Sequence, residues 1–414
     1  MLDINYIRDN LEICKKAAIH KNRVVDWDAL MTLDDRRRSL IGKLEEIRAA
    51  KNKTGKLETE EERVKARIEK ETMKLLEEEL REVESSFTTH LLTAPNVPHS
   101  SVPVGKDESE NVEIARWGEP KKFSFPVKDH IELAKSLDLI DFERGAKIGG
   151  SRSYVLKNEA ALLEMAIIAY AMQKLTAKGF TPLITPALVK EFAFFGNGQF
   201  PWGREEVYHL EKDDIYLAGT AEVPVTAYLS DEVVKEEELP KKFVAFSPCF
   251  RREAGSYGKD TRGIYRVHQF NKVEQVIITN NDEAQSLELL EELRKNSEEI
   301  LQDLELPYRV LLMCTGDMGE PQVKKYDIEV WMPGRNAYGE TMSDSYMGDF
   351  QARRLKIRYK SKEGKTIFCH TLNNTAIASP RILIPLLENY QQEDGSIRVP
   401  KVLVPFVGKE LISR

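Results

Sequence analysis

The chain has 414 residues, 41% hydrophobic and 31% charged, which is the composition of a folded protein with material for two or more domains. Its net charge of −7 excludes a global basic field, so any nucleic acid must be held by a local patch. The opening MLDINYIRDN has no apolar signal core and no long uncharged run follows it, so a cytoplasmic protein with no membrane partner is expected.

Residues 1 to about 29 read as short helices, with Ile7, Leu11 and Ile13 set among charges. Leu30, Leu33, Arg37, Leu40, Leu44 and Ile47 then step by three and four, the spacing of a coiled-coil seam. After a polar tip at Asn52-Lys53-Thr54-Gly55, Met73, Leu76, Leu80, Val83 and Phe87 repeat that spacing. Each stripe is too narrow to be stable alone, so the two helices should fold back as an antiparallel arm. A helix of about 25 residues spans roughly 37 Å. Arg36, Arg37, Arg38, Lys43, Arg48, Lys51, Lys53 and Lys56 crowd the first helix, and acidic residues the second. Periodicity alone reads as a dimerising or spacer coiled coil. The basic flank suits either an RNA backbone or a solvated face pairing with its neighbour.

Pro95, Pro98 and Pro103 end the arm and stiffen a linker that runs to Gly105, after which a second domain begins near Asn111. Leu162 to Lys178 reads as an amphipathic helix, and Gly179 to Pro186 as a turn and an apolar strand. Thr220-Ala221-Glu222 follows another apolar strand; by itself it reads as a helix start, although a hydroxyl and a carboxylate there could anchor an ammonium group. The four cysteines, Cys14, Cys249, Cys314 and Cys369, are far apart and lack CxxC spacing, so reduced thiols are expected and no zinc.

Phe250 to Glu274 reads as a strand, a long glycine- and arginine-rich loop and a returning strand. Alternation puts Arg251 and Glu253 on one face of the outgoing strand, and His268, Phe270, Lys272 and Glu274 on one face of the return. Arg251, Arg262 and Arg266 suit polyphosphate, and Phe270 offers a ring for a base. The competing reading is a charged hairpin with a solvated loop. Further on, Tyr326 to Trp331 alternates as a strand and leads through a Pro-Gly-Arg-Asn turn to Tyr338-Gly339-Glu340-Thr341-Met342-Ser343. Its carboxylate and hydroxyl suit magnesium bridging a nucleotide, or form a polar strand end. Gly348 to Arg354 reads as a return into a basic strand. In the stretch Phe368 to Arg381, His370 reads as structural and Arg381 as a helix-surface charge.

Phe250-Arg251-Arg252-Glu253-Ala254-Gly255, Asp260-Thr261-Arg262-Gly263 and the run His268 to Glu274 together resemble motif 2 of the seryl-tRNA synthetases, a class II aminoacyl-tRNA synthetase family, here of bacterial type. The resemblance covers almost the whole chain. Gly179 to Pro186 resembles motif 1, which forms the dimer interface in class II synthetases, and Phe368 to Arg381 resembles motif 3. The implied fold class is α+β: an antiparallel-sheet class II synthetase catalytic domain (106–414) after an N-terminal tRNA-binding domain (1–105) with an antiparallel helical coiled-coil arm.

The resemblance implies activation of L-serine by ATP and transfer to tRNA(Ser), with tRNA(Sec) a further candidate, in a homodimer that uses Mg2+. It places serine among Thr220, Ala221, Glu222, Arg251, Glu274, Asn373 and Thr375, with Glu274 and Thr375 on the substrate hydroxyl. It places ATP among Arg251, Arg252, Glu253, Arg266, Val267, Phe270, Glu340, Thr341, Met342, Ser343 and Arg381. Within that set Arg251 takes the α-phosphate, Glu253 the adenine amino group and Phe270 the adenine face. Arg266 and Arg381 take the γ-phosphate, and Glu340 and Ser343 the magnesium; Arg251, Glu253 and Arg381 are the catalytic set. The chain departs from the family where Gly339 replaces an arginine and where Met342, Asp344, Tyr346 and Met347 replace small or thiol residues. That departure motivates one alternative, an inactive paralogue that binds tRNA or protein. A second, a ligase charging a carrier protein, is disfavoured by the arm and by the scattered cysteines.

Overall fold

A computed structural model describes residues 1–53, 59–256 and 262–414; Thr54, Gly55 and Lys56 of the expected arm tip, and Asp260 and Thr261 of the expected loop, lie outside the described residues. The chain divides into two units, Met1–Val97 and Pro98–Arg414. The expected boundary at 105/106 therefore moves into the proline-rich stretch. Residues 98–105 bond within the larger unit, through His99 N to Val323 O (2.8 Å) and Thr315 N to Pro103 O (2.9 Å).

In the first unit, α1 (Ile4–Asp9) and α2 (Leu11–His20) lie against the base of two long helices, α3 (Trp27–Lys53) and α4 (Glu60–Leu92). Ile7, Cys14, Leu30, Phe87 and Leu91 close this base, and Leu40 and Leu44 bury the seam above it. The arm is antiparallel, as its two stripes require. Its second helix has 33 residues, roughly 50 Å, longer than the sequence estimate. Arg36 Nε donates to Glu79 (2.7 Å) and Arg48 to Glu77 (3.0 Å), while Arg37 lies 4.9 Å over Phe87. Arg36, Arg37 and Arg48 thus face the neighbouring helix, one of the two uses the flank's charge pattern allowed.

The second unit is built on one sheet. Its strands are β1 (Val112–Trp117), β2 (Thr181–Ile184), β3 (Lys241–Phe250), β4 (Gln269–Thr279), β5 (Tyr308–Leu312), β6 (Lys324–Met332), β7 (Ala337–Tyr346) and β8 (His370–Ala378), in the order β1-β5-β6-β7-β8-β4-β3-β2. Every pairing is antiparallel except β2 with β3, which is parallel. Alternate side chains go to opposite faces. Gln275 reaches Asn374 (2.7 Å) and Leu293 O on one side, whereas Glu274 accepts from Thr375 (3.0 Å) on the other. The Gln275 side is covered by α5 (Asn158–Ala177), α7 (Glu283–Asp303) and α9 (Ser379–Asn389). The Glu274 side carries the short helices α6 (Glu222–Ala227) and α8 (Phe350–Leu355).

One local expectation changes. Gly348 to Arg354 leads into helix α8 rather than a strand, because Asp349 and the Phe350–Leu355 run satisfy a helical turn that ends at Lys356 in the left-handed region (φ 55°). In α9, Pro380 sits in the opening turn, where no backbone donor is needed, and the helix continues through Pro385. Among the described residues α5 is long and apolar enough to cross a membrane by length and composition, although Glu164 and Lys174 interrupt it, in keeping with the expectation of no long uncharged run. Its Leu163, Ile167, Ala171 and Leu175 are buried in the core against the sheet.

Ile277, fully buried in β4 between β3 and β8, joins the core of this layered arrangement. Ile277→Ala is expected to cost about 2–5 kcal/mol by leaving a cavity that the paired strands cannot close. Calorimetric unfolding of the variant and the parent measures it.

Candidate active site

On the Glu274 side, β4, β7 and β8 open into a cleft with about 530 Å3 of empty space including its mouth. Its lining brings together Arg251, Glu253, Val267, Phe270, Glu340, Thr341, Met342, Ser343, Thr375 and Arg381 from the sequence set, and adds Tyr265, Lys272, Ala378 and Pro380. Arg252, Arg266, Thr220, Ala221, Glu222, Glu274 and Asn373 are not in the lining; Glu274 meets it through Lys272 and Thr375. Arg252 is exposed and lies 5.7 Å over Tyr208, because Glu206 O holds its backbone N (2.9 Å) at the cleft's outside. Arg266 lies 3.5 Å from Glu253, which does line the cleft.

Two bulges shape the lining. In an even strand, residues three apart face opposite ways. Yet Glu340 and Ser343 both line the cleft, because β6 pairs Ile328 with Met342 and Glu329 with Glu340, leaving Thr341 as the extra residue. Thr375 and Ala378 both line it for the same reason: Val273 pairs with Ile377 and Glu274 with Thr375, leaving Ala376 extra. The sequence expectation that alternation aims Arg251 and Glu253 is corrected. The strand ends at Phe250, and Glu253 takes a left-handed conformation (φ 54°) that turns it back to the cleft. His268 precedes β4, and its Nδ1 lies 3.0 Å from Arg251 O.

Electrostatics divide the cleft into two ends. At one, Arg381, from the first turn of α9, pairs with Glu340 at 3.1 Å, and its side chain is 17% exposed. A helix-surface charge is therefore excluded. Burial raises the Glu340 pKa, but Arg381, Lys325 and Arg251 outweigh it and hold the carboxylate ionised. Arg251 lies 5.3 Å over Phe270, and its Nε donates to Gly219 O (3.2 Å).

At the other end, Glu274 is nearly without solvent, 3.5 Å from Lys272 and bonded by Thr375. Burial raises its pKa, opposed by Lys272 and Thr375. Glu222 opens α6 and accepts from Asn373 (2.9 Å) and Gln351 (2.8 Å). Burial, then the nearby Glu274 charge, lifts it to about 7. Thr220 Oγ1 accepts from Glu222 N (3.2 Å), and Ala221 is fully buried behind it. Sequence reasoning missed Gln351, which accepts from Thr371 (2.6 Å) and fixes Glu222, and assigned no task to Lys272. The cleft thus has a cationic end with a ring, and at Lys272 and Thr375 it adjoins the anionic pair Glu274 and Glu222. It suits a phosphate-bearing group beside a compact ammonium compound.

Glu222 makes stability depend on pH. The folded protein keeps a proton that the unfolded chain releases near pH 4.5, so this contribution is complete below pH 4.5 and is lost as pH rises through about 7. Glu222→Gln is therefore expected to gain Tm relative to the parent from pH 4.5 upward, with the gap levelling above pH 8. Thermal unfolding at four or five pH values checks it.

Comparison with known proteins gives a consistent result over both units. Residues 1–98 match the family description "Seryl-tRNA synthetase N-terminal domain", and residues 206–390 match "tRNA synthetase class II core domain (G, H, P, S and T)". The chain is 47% identical to a serine–tRNA ligase of Deinococcus radiodurans, over 99% of this chain and 98% of that one. It is 46% identical to one of Rubrobacter xylanophilus, over 100% and 99%. Among solved structures, it is similar to a seryl-tRNA synthetase of Pyrococcus horikoshii complexed with ATP, with TM-score 0.93, 39% identity, and coverage of 100% of this chain and 99% of that one.

Proposed function

The chain belongs to the seryl-tRNA synthetase family, and with that as premise we propose how its cleft activates L-serine with ATP and passes the seryl group to tRNA. The enzyme is a serine–tRNA ligase, and it uses ATP. No relative favours the inactive paralogue. The observation carrying the residue assignment is that the cleft holding Arg381 and Glu340 is also lined by Lys272 and Thr375, which contact Glu274, itself close to Glu222.

The serine carboxylate is already ionised at neutral pH, so the first step needs alignment and charge neutralisation rather than a base. Arg251 takes the α-phosphate, and adenine lies on Phe270 in the place the Arg251 guanidinium now occupies. Glu253 receives the adenine amino group. Arg381 leaves Glu340 for the γ-phosphate, with Arg266 joining it from beside Glu253. Glu340 and Ser343, brought to one side by the bulge, would hold a magnesium ion, since that ion takes few protein oxygens. The ion would neutralise phosphate charge there.

The serine ammonium lies against Glu222, and its hydroxyl between Glu274 and Thr375, with Asn373 closing the pocket and Thr220 and Ala221 shaping its wall. Alanine leaves those buried groups without a partner, at about 1–3 kcal/mol each. Threonine needs room for a methyl group. The arm offers exposed Lys43 and Lys51 to tRNA(Ser), and tRNA(Sec) presents the same kind of backbone. An exposed Ile184 (83%) on edge strand β2, with exposed Leu162 and Met165 on α5, supports a homodimer through that face. A cytoplasmic location follows from the reaction's substrates.

Two experiments test these assignments. Glu274→Ala is expected to lower serine-dependent ATP–pyrophosphate exchange about 100-fold or more while ATP binding by calorimetry stays within about threefold. Unchanged exchange removes Glu274 from the pocket. Lys43→Glu with Lys51→Glu is expected to raise KM for tRNA about tenfold at physiological salt and to leave exchange unchanged. Equal loss in both assays would point to misfolding of the arm instead.

A further inference from the structure

Gly339 stands where the resemblance leads one to expect an arginine, and the structure shows what fills that space. A Cβ on Gly339 would meet Met332 Cε at 2.9 Å, Met332 Sδ at 3.0 Å and the Tyr265 ring at 3.4 Å. Tyr265, 9% exposed, therefore lies against β7 at the wall of the cleft, and its hydroxyl donates to Glu340 O (3.1 Å). Two guanidinium groups share this ring: Arg381 at 4.7 Å from its centroid and Arg335 at 4.3 Å. Arg335 is exposed, in the turn between β6 and β7, and that turn is fixed from behind. The buried Glu388 carboxylate accepts from Gly334 N (2.9 Å) and from His130 N (2.9 Å), with His130 Nδ1 3.0 Å away. Glu388 belongs to α9, the helix that carries Arg381. One helix thus sets the positions of both cations.

Two like charges on one ring repel each other, and a polyanion between or beside them relieves that repulsion. We propose that Arg335 is a further nucleotide-binding residue, a cation for the distal phosphates of ATP that supplies from the β6–β7 turn the charge missing at Gly339. This rests on the reading of the cleft as the ATP site. Tyr265 orients the guanidinium, and Arg381 and Arg335 share the triphosphate tail as it leaves the cleft. A nucleotide without distal phosphates does not reach Arg335.

The test is serine-dependent ATP–pyrophosphate exchange by the full-length enzyme with Arg335→Ala and Arg335→Lys. Arg335→Ala is expected to raise KM for ATP about tenfold or more, with KM for serine within twofold and the inhibition constant of AMP unchanged. Arg335→Lys is expected to recover most of the loss, since it restores charge without the planar stack. An unchanged KM for ATP in Arg335→Ala overturns the proposal. A parallel rise in the AMP inhibition constant also overturns it, because a merely structural change harms both nucleotides. Arg381→Ala separates the two readings. If it weakens ATP while Arg335→Ala does not, only Arg335 loses its place. If neither does, the cleft itself is not the ATP site.

Discussion

The Lys272–Glu274 pair is the constraint on which the second unit depends. An ammonium and a carboxylate 3.5 Å apart, both almost out of solvent, tolerate burial only while each keeps the other and the surrounding hydrogen bonds. Thr375 on β8 supplies one such bond, so the register of β4 against β8 is fixed by chemistry as well as by apolar packing. A one-residue slip would carry Glu274 to the face where Gln275 meets α7. The apolar residues of that opposite face, Val273 and Ile277, hold the register from the other side. Pocket and core thus enforce one alignment.

The two bulges turn that alignment into a site. A flat, even ladder would present either Glu340 or Ser343 to the cleft, and either Thr375 or Ala378, but not both members of each pair. Thr341 and Ala376, the extra residues, rotate the strand ends so that β7 and β8 present successive polar and small groups inward. The same device brings Glu340 beside Arg381. These two groups satisfy each other, and the proposed triphosphate site would draw Arg381 away from this pair. Pairing of this kind keeps a buried arginine and a buried carboxylate from standing alone before substrate arrives.

Much of this was legible in the residues. The two helical stripes announced the antiparallel arm, since neither could bury its seam alone. The even spacing of Phe270, Lys272 and Glu274 announced their shared face. The resemblance at motif 2 located the cleft. What stayed hidden depends on partners distant in sequence. A bulge is a property of two strands together, so no spacing within Tyr338 to Ser343 shows that Thr341 is extra. Arg381 looks like a surface charge until Tyr265 and Glu340 are brought over it from elsewhere in the chain. Gln351 was invisible because the stretch containing it reads as a strand, whereas helix α8 aims it at Glu222. The unit boundary moved because Pro98 to Gly105, though rich in turn residues, bonds along the larger unit.

The anionic pocket is incomplete without its substrate. Glu222 and Glu274 are close enough that the charge on one raises the proton affinity of the other, and Lys272, with Arg251 also acting on Glu274, opposes this. On the proposed placement of serine, a primary ammonium entering beside Glu222 adds positive charge and displaces the proton that burial favours. Binding is then coupled to proton release from Glu222 near neutral pH. On the proposed reading, a competitor lacking the hydroxyl supplies the cation but leaves Glu274 and Thr375 one partner short, whereas threonine brings a hydroxyl and is excluded by the space its methyl group needs. Polar satisfaction then works against alanine and shape against threonine.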